Sequence, residues 1–263
     1  NDSECTTTIV VEKRYSSLTY TGDVDGQYSD VASLSAVLMD VSNENNAVPI
    51  AGKTVTFTIG TQTTTGTTDA TGKATATITL NQDPAPEYEV LVEFIEDAAY
   101  LGDDDEVVFD ITQEDADLEY IGTLMMAYDQ TGGANLDLRV IITDVPDGHR
   151  GKIINADVTF YIEGDGFATR TVGPIQVTPG NLVNDQTAIV FASHFFNVPL
   201  PSTGGMILTV RAEAGSFYTG GLGEDGVKVT VYQPQGDHIT GGGFIVPTQS
   251  GGEYPSAPGS HAN

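Results

Sequence analysis

A chain of 263 residues is long enough for two domains, since one domain usually takes about 100 to 200 residues. Asp and Glu outnumber Lys and Arg by 37 to 10, giving a formal charge of -27 at pH 7. That charge would repel a phosphate backbone, so we expect neither nucleic acid nor anionic lipid as a partner. Cys5 is the only cysteine, which excludes a disulfide within the chain. No run is apolar enough for a membrane span.

The first half of the chain alternates apolar and polar residues with a period of two, which is typical of half-buried strands. Val55, Phe57 and Ile59, for example, alternate with threonines. The predicted strands cover residues 6–13, 32–40, 53–59, 74–80, 88–94 and 107–112. This density of short strands is typical of an immunoglobulin-like sandwich, which has about seven strands in about 100 residues.

The second half of the chain repeats the plan of the first. Leu18-Thr19-Tyr20-Thr21-Gly22 matches Leu118-Glu119-Tyr120-Ile121-Gly122, and Val55-Thr56-Phe57 matches Val158-Thr159-Phe160. A self-similarity with a period of roughly 100 residues indicates two copies of one domain, with insertions in the loops of the second copy.

These patterns predict an all-β protein of two tandem immunoglobulin-like sandwiches with a Gly/Pro-rich C-terminal tail. The first sandwich spans residues 1–113, with its N-terminal strand from about residue 6, and the second, more divergent one spans 114–235. Residues 236–263 form an extended tail or the start of a third β domain. The short polar segment around 113–117 favours closely spaced sandwiches.

Two turns in the first half carry a family resemblance. Pro49-Ile50-Ala51-Gly52-Lys53 and Thr68-Asp69-Ala70-Thr71-Gly72 each precede a predicted strand, and together with the surrounding strands they resemble bacterial immunoglobulin-like repeats of surface adhesins and envelope proteins. The second copy lacks both turns. The run 238–245, with Ile239-Thr240-Gly241-Gly242-Gly243-Phe244, is similar to the opening of a small β domain that follows such repeats. The resemblance implies extracellular or cell-surface display, tandem stacking and no catalytic residues.

Calcium is the cofactor that the acidic loops favour, because hard cations bind carboxylate oxygens that converge from loops. One candidate group lies in a fragment of a D-x-D loop, and a second lies in a predicted turn before the last strand of the first copy and at the junction. The alternative is that these acids only solvate the surface. The candidate calcium ligands are Asp23, Asp25, Asp30, Asp103, Asp104, Asp105, Glu114, Asp115 and Asp117.

Catalytic and zinc-binding motifs are not evident in the sequence. The histidines, at 149, 194, 238 and 261, lack the spacing of a zinc site. Ser193-His194 has no nucleophile elbow around it. A hydrolase would need a convergent carboxylate pair, for example among Asp144, Asp147 and Asp165. We therefore expect the chain not to be an enzyme.

The function that these features favour is a structural or adhesive extracellular module, acting as a spacer or as a subunit of a surface layer or filament. Its partners would be further copies of the chain or neighbouring surface proteins, and strand exchange through residues 6–13 or the tail would link subunits. The alternative is a carbohydrate-binding accessory region of a secreted enzyme, with a glycan held by Tyr120, Tyr128, Phe195 and Phe196. The chain has no Trp, which weakens that alternative.

Overall fold

A computed structural model of the chain describes residues 12–128, 133–197 and 205–232, and these residues form two β-sandwiches in succession. The prediction of an all-β protein with tandem immunoglobulin-like sandwiches is confirmed. The one helical element among the described residues is a 3-10 turn, Ile153–Asn155. No helix in the described ranges is long and apolar enough to cross a membrane. The predicted strand at 6–13, apart from its last two residues, and the tail from 236 lie outside the described residues.

The first sandwich packs a four-stranded sheet against a five-stranded one. Its strands are β1 (Ser16–Tyr20), β2 (Asp25–Gln27), β3 (Val31–Asp40), β4 (Val48–Pro49), β5 (Thr54–Ile59), β6 (Gln62–Thr67), β7 (Lys73–Thr79), β8 (Ala85–Phe94) and β9 (Asp103–Thr112). In one sheet β3 pairs with β1, β4 and β7, and the other sheet has the order β2-β9-β8-β5-β6. Strand β2 runs parallel to β9, and the other pairs are antiparallel.

The second sandwich repeats this arrangement in two five-stranded sheets. Its strands are β10 (Glu114–Tyr120), β11 (Met125–Ala127), β12 (Ala134–Asp144), β13 (Ala156–Glu163), β14 (Arg170–Gln176), β15 (Leu182–Asn184), β16 (Thr187–Phe196), β17 (Gly205–Ser216), β18 (Tyr218–Thr219) and β19 (Val227–Tyr232). The sheet orders are β15-β16-β12-β10-β18 and β11-β19-β17-β13-β14. Strand β11 runs parallel to β19, as β2 does to β9.

Each sandwich has its own hydrophobic core, built from the alternate residues that face inward. In β5 the inward side chains Val55, Phe57 and Ile59 are fully buried, while the intervening threonines lie outside the core. In β13 the fully buried Phe160 occupies the place of Phe57. Burying one such side chain contributes roughly 1.5–3 kcal/mol, which is why the apolar alternation, and not the polar residues, fixes the faces of the strands.

The repeated motif Leu-x-Tyr-x-Gly forms the same corner in both sandwiches. The Tyr20 hydroxyl donates to the Asp23 carbonyl oxygen at 2.5 Å, and the Tyr120 hydroxyl donates to the Thr123 carbonyl oxygen at 3.0 Å. Burial raises the pKa of both phenols to about 12. The glycine two residues after each Tyr lies against the backbone of the strand that pairs with the Tyr strand, which is β3 in the first sandwich and β12 in the second. The motif therefore holds the chain as it crosses from one sheet to the other.

The turn around residues 68–73 is closed by one side chain. The Asp69 carboxylate accepts the backbone N–H groups of Thr71 at 2.7 Å and Lys73 at 3.1 Å. Gly72 has φ of +78°, a conformation that side-chain-bearing residues rarely adopt. This is one of the two turns that carry the resemblance of the first copy to bacterial immunoglobulin-like repeats, and the geometry explains its Asp and Gly.

Candidate functional site

The junction between the sandwiches is made by a single residue outside the strands. Gln113 alone separates β9 from β10. Its side-chain amide donates to the carbonyl oxygens of Ser216 and Tyr218, both at 2.9 Å. Its own carbonyl oxygen accepts the side-chain amide of Gln27 at 3.3 Å. The connection is therefore one residue long and hydrogen-bonded to both sandwiches.

Tyr28 crosses the junction. It follows β2 of the first sandwich, yet it is only 4% exposed and belongs to the hydrophobic core of the second. Its ring lies edge-on to Phe217 and Tyr218, with centroids 4.8 and 6.1 Å away. Its hydroxyl accepts a hydrogen bond from the Asn155 side chain at 2.8 Å. An aromatic side chain of the first unit thus packs in the core of the second.

Four carboxylates gather beside Tyr28. Glu114 opens β10 and Asp144 ends β12, and the antiparallel pairing of Ala116 with Asp144 puts both at the same end of these neighbouring strands. Asp30 comes from the first sandwich, and Asp147 lies in the loop after β12. Asp30, Asp147 and His149 offer ligand atoms that all lie within 4.8 Å of one another.

The two inner carboxylates are the most deeply buried. Glu114 is 1% exposed and Asp144 is 2% exposed. Burial raises the pKa of Glu114 to about 7, and the charges of Asp147, Asp144 and Asp30 act in the same direction, opposed by the Ser29 hydroxyl, which donates to Glu114 Oε2 at 3.2 Å.

The outer residues of the site follow the same electrostatics. Burial raises the pKa of Asp144, and Asp147 adds to it, whereas Tyr218, Gly151 and Arg150 oppose it. His149 Nδ1 lies 3.1 Å from Asp30 Oδ1, so a protonated imidazole would pair with that carboxylate. Negative charge is therefore concentrated at the junction.

The first sandwich has a cation at the corresponding place. Arg14 forms a parallel β-bridge with Tyr100, just as Glu114 does with Tyr218. In the neighbouring antiparallel pair, Ser16 lies opposite Asp40, just as Ala116 lies opposite Asp144. The Arg14 guanidinium forms an ion pair with Asp40, which is 3% exposed. In the second sandwich Glu114 takes the position of Arg14. The junction has thus exchanged a cation for another acid.

Of the nine predicted calcium ligands, the structure brings Asp30 and Glu114 together at the junction. Asp103, Asp104 and Asp105 lie at the opposite end of β9, and they are part of a strand rather than of the predicted turn. The carboxylates of Asp103 and Asp105 accept the backbone N–H groups of Leu18 and Tyr20, at 2.7 and 2.8 Å. These acids therefore join the two sheets of the first sandwich.

The remaining predicted ligands point away from the buried carboxylates. Asp23 accepts the Ser33 backbone N–H at 2.7 Å, and Asp25 is exposed in β2. Asp115 and Asp117 are exposed in β10, on the side opposite to buried Glu114 and Ala116. The predicted ligand set does not include Asp144, Asp147 or His149, although Asp144 and Asp147 are among the carboxylates named for a hydrolase. Aligning the two copies around Arg14 and Glu114 would have found the acid pair.

The aromatics proposed for a glycan and the Ser193-His194 pair do not form a site. Asp144 and Asp147, named as candidates for a hydrolase, do lie together in the carboxylate group at the junction, whereas Asp165 is exposed in the turn after β13. Phe196 and Tyr128 are buried in the core, and of the four aromatics proposed for a glycan only Phe195, 58% exposed, is free at the surface. Ser193 and His194 are neighbours on β16, so their side chains point to opposite faces of the strand. They cannot act as a nucleophile and its base.

Comparison with known proteins does not assign a family. No family model matches the chain, and no curated protein matches it. Among solved structures it is similar to E. coli alpha-2-macroglobulin, at 10% identity and a TM-score of 0.33, covering 84% of this chain but only 17% of that one. It is also similar to the D0–D1 domain of intimin, at 16% identity and a TM-score of 0.25, covering 81% and 97%. Likeness at this level assigns no activity.

Proposed function

We propose that this chain is a structural module of an extracellular or cell-surface protein, in which two immunoglobulin-like sandwiches act as a spacer with a fixed joint. The observation that carries the proposal is the burial of Tyr28 of the first sandwich in the core of the second. Domains within one chain move relative to each other unless the interface between them is large and apolar. The burial of Tyr28 in the second core, together with the one-residue connection at Gln113, opposes that motion.

The joint gains its stiffness from several contacts. The one-residue connection at Gln113 leaves no flexible linker. Burial of the Tyr28 ring contributes roughly 1.5–3 kcal/mol, and each edge-on aromatic pair adds about 0.5–1.5 kcal/mol. Bending the joint would expose this ring and break the hydrogen bond from Asn155. A bent state is therefore costly.

The surface charge fits an extracellular spacer. A net charge of -27 keeps copies apart and hydrated, which suits a module exposed at high local density.

Self-association and neighbouring surface proteins remain the partners that we propose. Strand exchange would involve residues 6–13 or the tail, of which residues 6–11 and the tail lie outside the described ranges.

Distance measurement between the sandwiches tests the fixed joint. Spin labels at Thr63→Cys in β6 and Val183→Cys in β15, both exposed, would report on the joint in a Cys5→Ser background of the full chain. We expect a narrow interspin distance distribution by double electron–electron resonance in EDTA. Tyr28→Ala should broaden it. A broad distribution in the unmutated joint would refute the spacer with a fixed joint.

A further inference from the structure

We propose that the junction binds a calcium ion through the carboxylates of Asp30 and Asp147, with the buried carboxylates of Glu114 and Asp144 behind them, at the place that corresponds to the Arg14 guanidinium in the first sandwich. The site would use carboxylates from both sandwiches, so that a bound ion joins them. The inference goes beyond the spacer function and does not depend on it, because ion binding and the stiffness of the ion-free joint are measured separately.

The two buried carboxylates at the junction, Glu114 and Asp144, have no ion-pair partner among the described residues. Asp144 is almost completely buried, and its Oδ1 atom lacks a well-aligned hydrogen-bond donor among the described residues, although the neutral Tyr218 hydroxyl and Gly151 N–H lie close enough to lower the pKa of this carboxyl. The equally buried Glu114 receives one hydrogen bond, from the neutral Ser29 hydroxyl. Burying unpaired charge is costly, and a bound cation removes the cost.

Comparison of the two copies shows which charged group is replaced at the junction. In the first sandwich the buried carboxylate of Asp40 is neutralised by Arg14, whose guanidinium also lies 5.7 Å from the ring centre of Tyr100. In the second sandwich Asp144 and Tyr218 keep the places of Asp40 and Tyr100. With Glu114 at the third position, the fold retains the anionic half of the arrangement and lacks its cation.

The outer groups of the site lie close to one another. Ligand atoms of Asp30, Asp147 and His149 lie within 4.8 Å of one another. Calcium binds oxygen at about 2.3–2.6 Å, so two ligands of one ion stand up to roughly 5 Å apart. The outer residues are thus already at a spacing that one ion can bridge. Loop carbonyl groups and water would complete the six to eight oxygens that calcium takes.

The donor set favours calcium over zinc. The four carboxylates are hard oxygen donors, and both buried donors are oxygens. The single imidazole, His149, is 47% exposed at the rim of the site. Zinc would require that imidazole as a ligand, whereas calcium needs only the carboxylates. Replacement of His149 therefore separates the two assignments.

Calorimetric titration of the full chain tests the site. The metal-free protein at pH 7.5 in 150 mM NaCl is titrated with CaCl2, and thermal unfolding is followed with and without 5 mM calcium. We expect one saturable site with Kd of about 10⁻⁴–10⁻³ M or tighter, typical of extracellular modules, and a higher melting temperature in calcium. Asp147→Asn, in an exposed loop, should weaken binding about tenfold or more because it removes one charged ligand.

Three further variants sharpen the result. Asp117→Asn removes the same charge from the exposed side of β10 and should leave the Kd within about twofold, because exposed charges off the site are screened. Glu114→Arg restores the cation of the first sandwich and should abolish the calcium response. His149→Gln should preserve calcium binding.

Several outcomes would overturn the site. These are the absence of binding heat together with an unchanged melting temperature, an equal loss in Asp117→Asn and Asp147→Asn, and a calcium response that survives in Glu114→Arg. Binding of Zn²⁺ alone, lost in His149→Gln, would replace calcium with a transition metal. A narrow interspin distance in EDTA would still support the spacer if calcium binding failed.

Discussion

The two sandwiches differ in the sign of the charge at one equivalent backbone position. Arg14 and Glu114 hold the same place in the two copies, each beside a buried aspartate. In the first copy the result is an ion pair, and in the second it is a carboxylate pair whose acidity is lowered by burial. The difference concentrates the unusual chemistry of the molecule at the junction and leaves the outer end of the first sandwich conventional.

Asp97 at the far end of the first sandwich gives a pH prediction at the residue scale. A hydrogen bond from Lys53 at 2.5 Å, with those from the backbone N–H groups of Ala99 and Tyr100, lowers the pKa of Asp97 to about 2. Because this pKa is depressed on folding, the ionised group stabilises the protein above its ordinary pKa, and that stability is lost as pH falls toward 2.

Asp97→Asn is the variant that measures this contribution. It should lower the free energy of unfolding at pH 7, and its difference from the parent should shrink between pH 4 and pH 2. Urea unfolding at several pH values measures the difference, with exposed Asp117→Asn as the control. A difference that stays constant down to pH 2 would contradict the role assigned to the Asp97 carboxylate.

At the scale of the strand, the glycine of the repeated corner is constrained by its neighbours. A Cβ atom on Gly22 would lie 2.6 Å from the Ser35 nitrogen, and one on Gly122 would lie 2.5 Å from the Asp137 carbonyl oxygen. Both clashes are with backbone, so relief requires movement of a strand. We expect Gly22→Ala and Gly122→Ala each to reduce the free energy of unfolding by about 1–3 kcal/mol. Gly180→Ala, with its nearest atom at 3.8 Å, is the matched control in denaturant unfolding. Equal effects at all three glycines would argue against the close approach.

The elements that sequence could predict are those whose apolar residues alternate. Strands β3, β5 and β7 carry such alternation and lie where it predicted them. Strand β6 escaped prediction because its residues, Gln62–Thr67, are polar or glycine, and it is held only as the edge neighbour of β5. The site escaped in part because burial of Glu114 and Asp144 depends on packing between distant segments. Pattern along the chain reports on faces of strands and carries no information on which loops meet.

At the scale of the whole molecule, the junction between the two similar units differs from the rest of the chain in its packing and its charge. Tyr28 lies in the core of the unit that follows its own, so unfolding of the first sandwich removes a side chain from the second core, and unfolding of the second exposes an aromatic ring of the first. The four carboxylates lie beside that ring and belong to both sandwiches. A bound cation and the aromatic contact would therefore stabilise the same relation between the units, one through charge and one through apolar burial.

The net charge of the chain predicts how self-association depends on salt concentration. At -27, copies repel over a Debye length of about 30 Å at 0.01 M salt but only about 8 Å at 0.15 M. If the module is a subunit of a layer or filament, sedimentation velocity of the full chain should show larger species as NaCl rises from 10 to 150 mM, and more of them at higher protein concentration. Calcium at matched ionic strength separates screening from binding, because Asp147→Asn should abolish only an effect of the junction site. A chain that stays monomeric at every salt and protein concentration would contradict the subunit role and leave the spacer role alone.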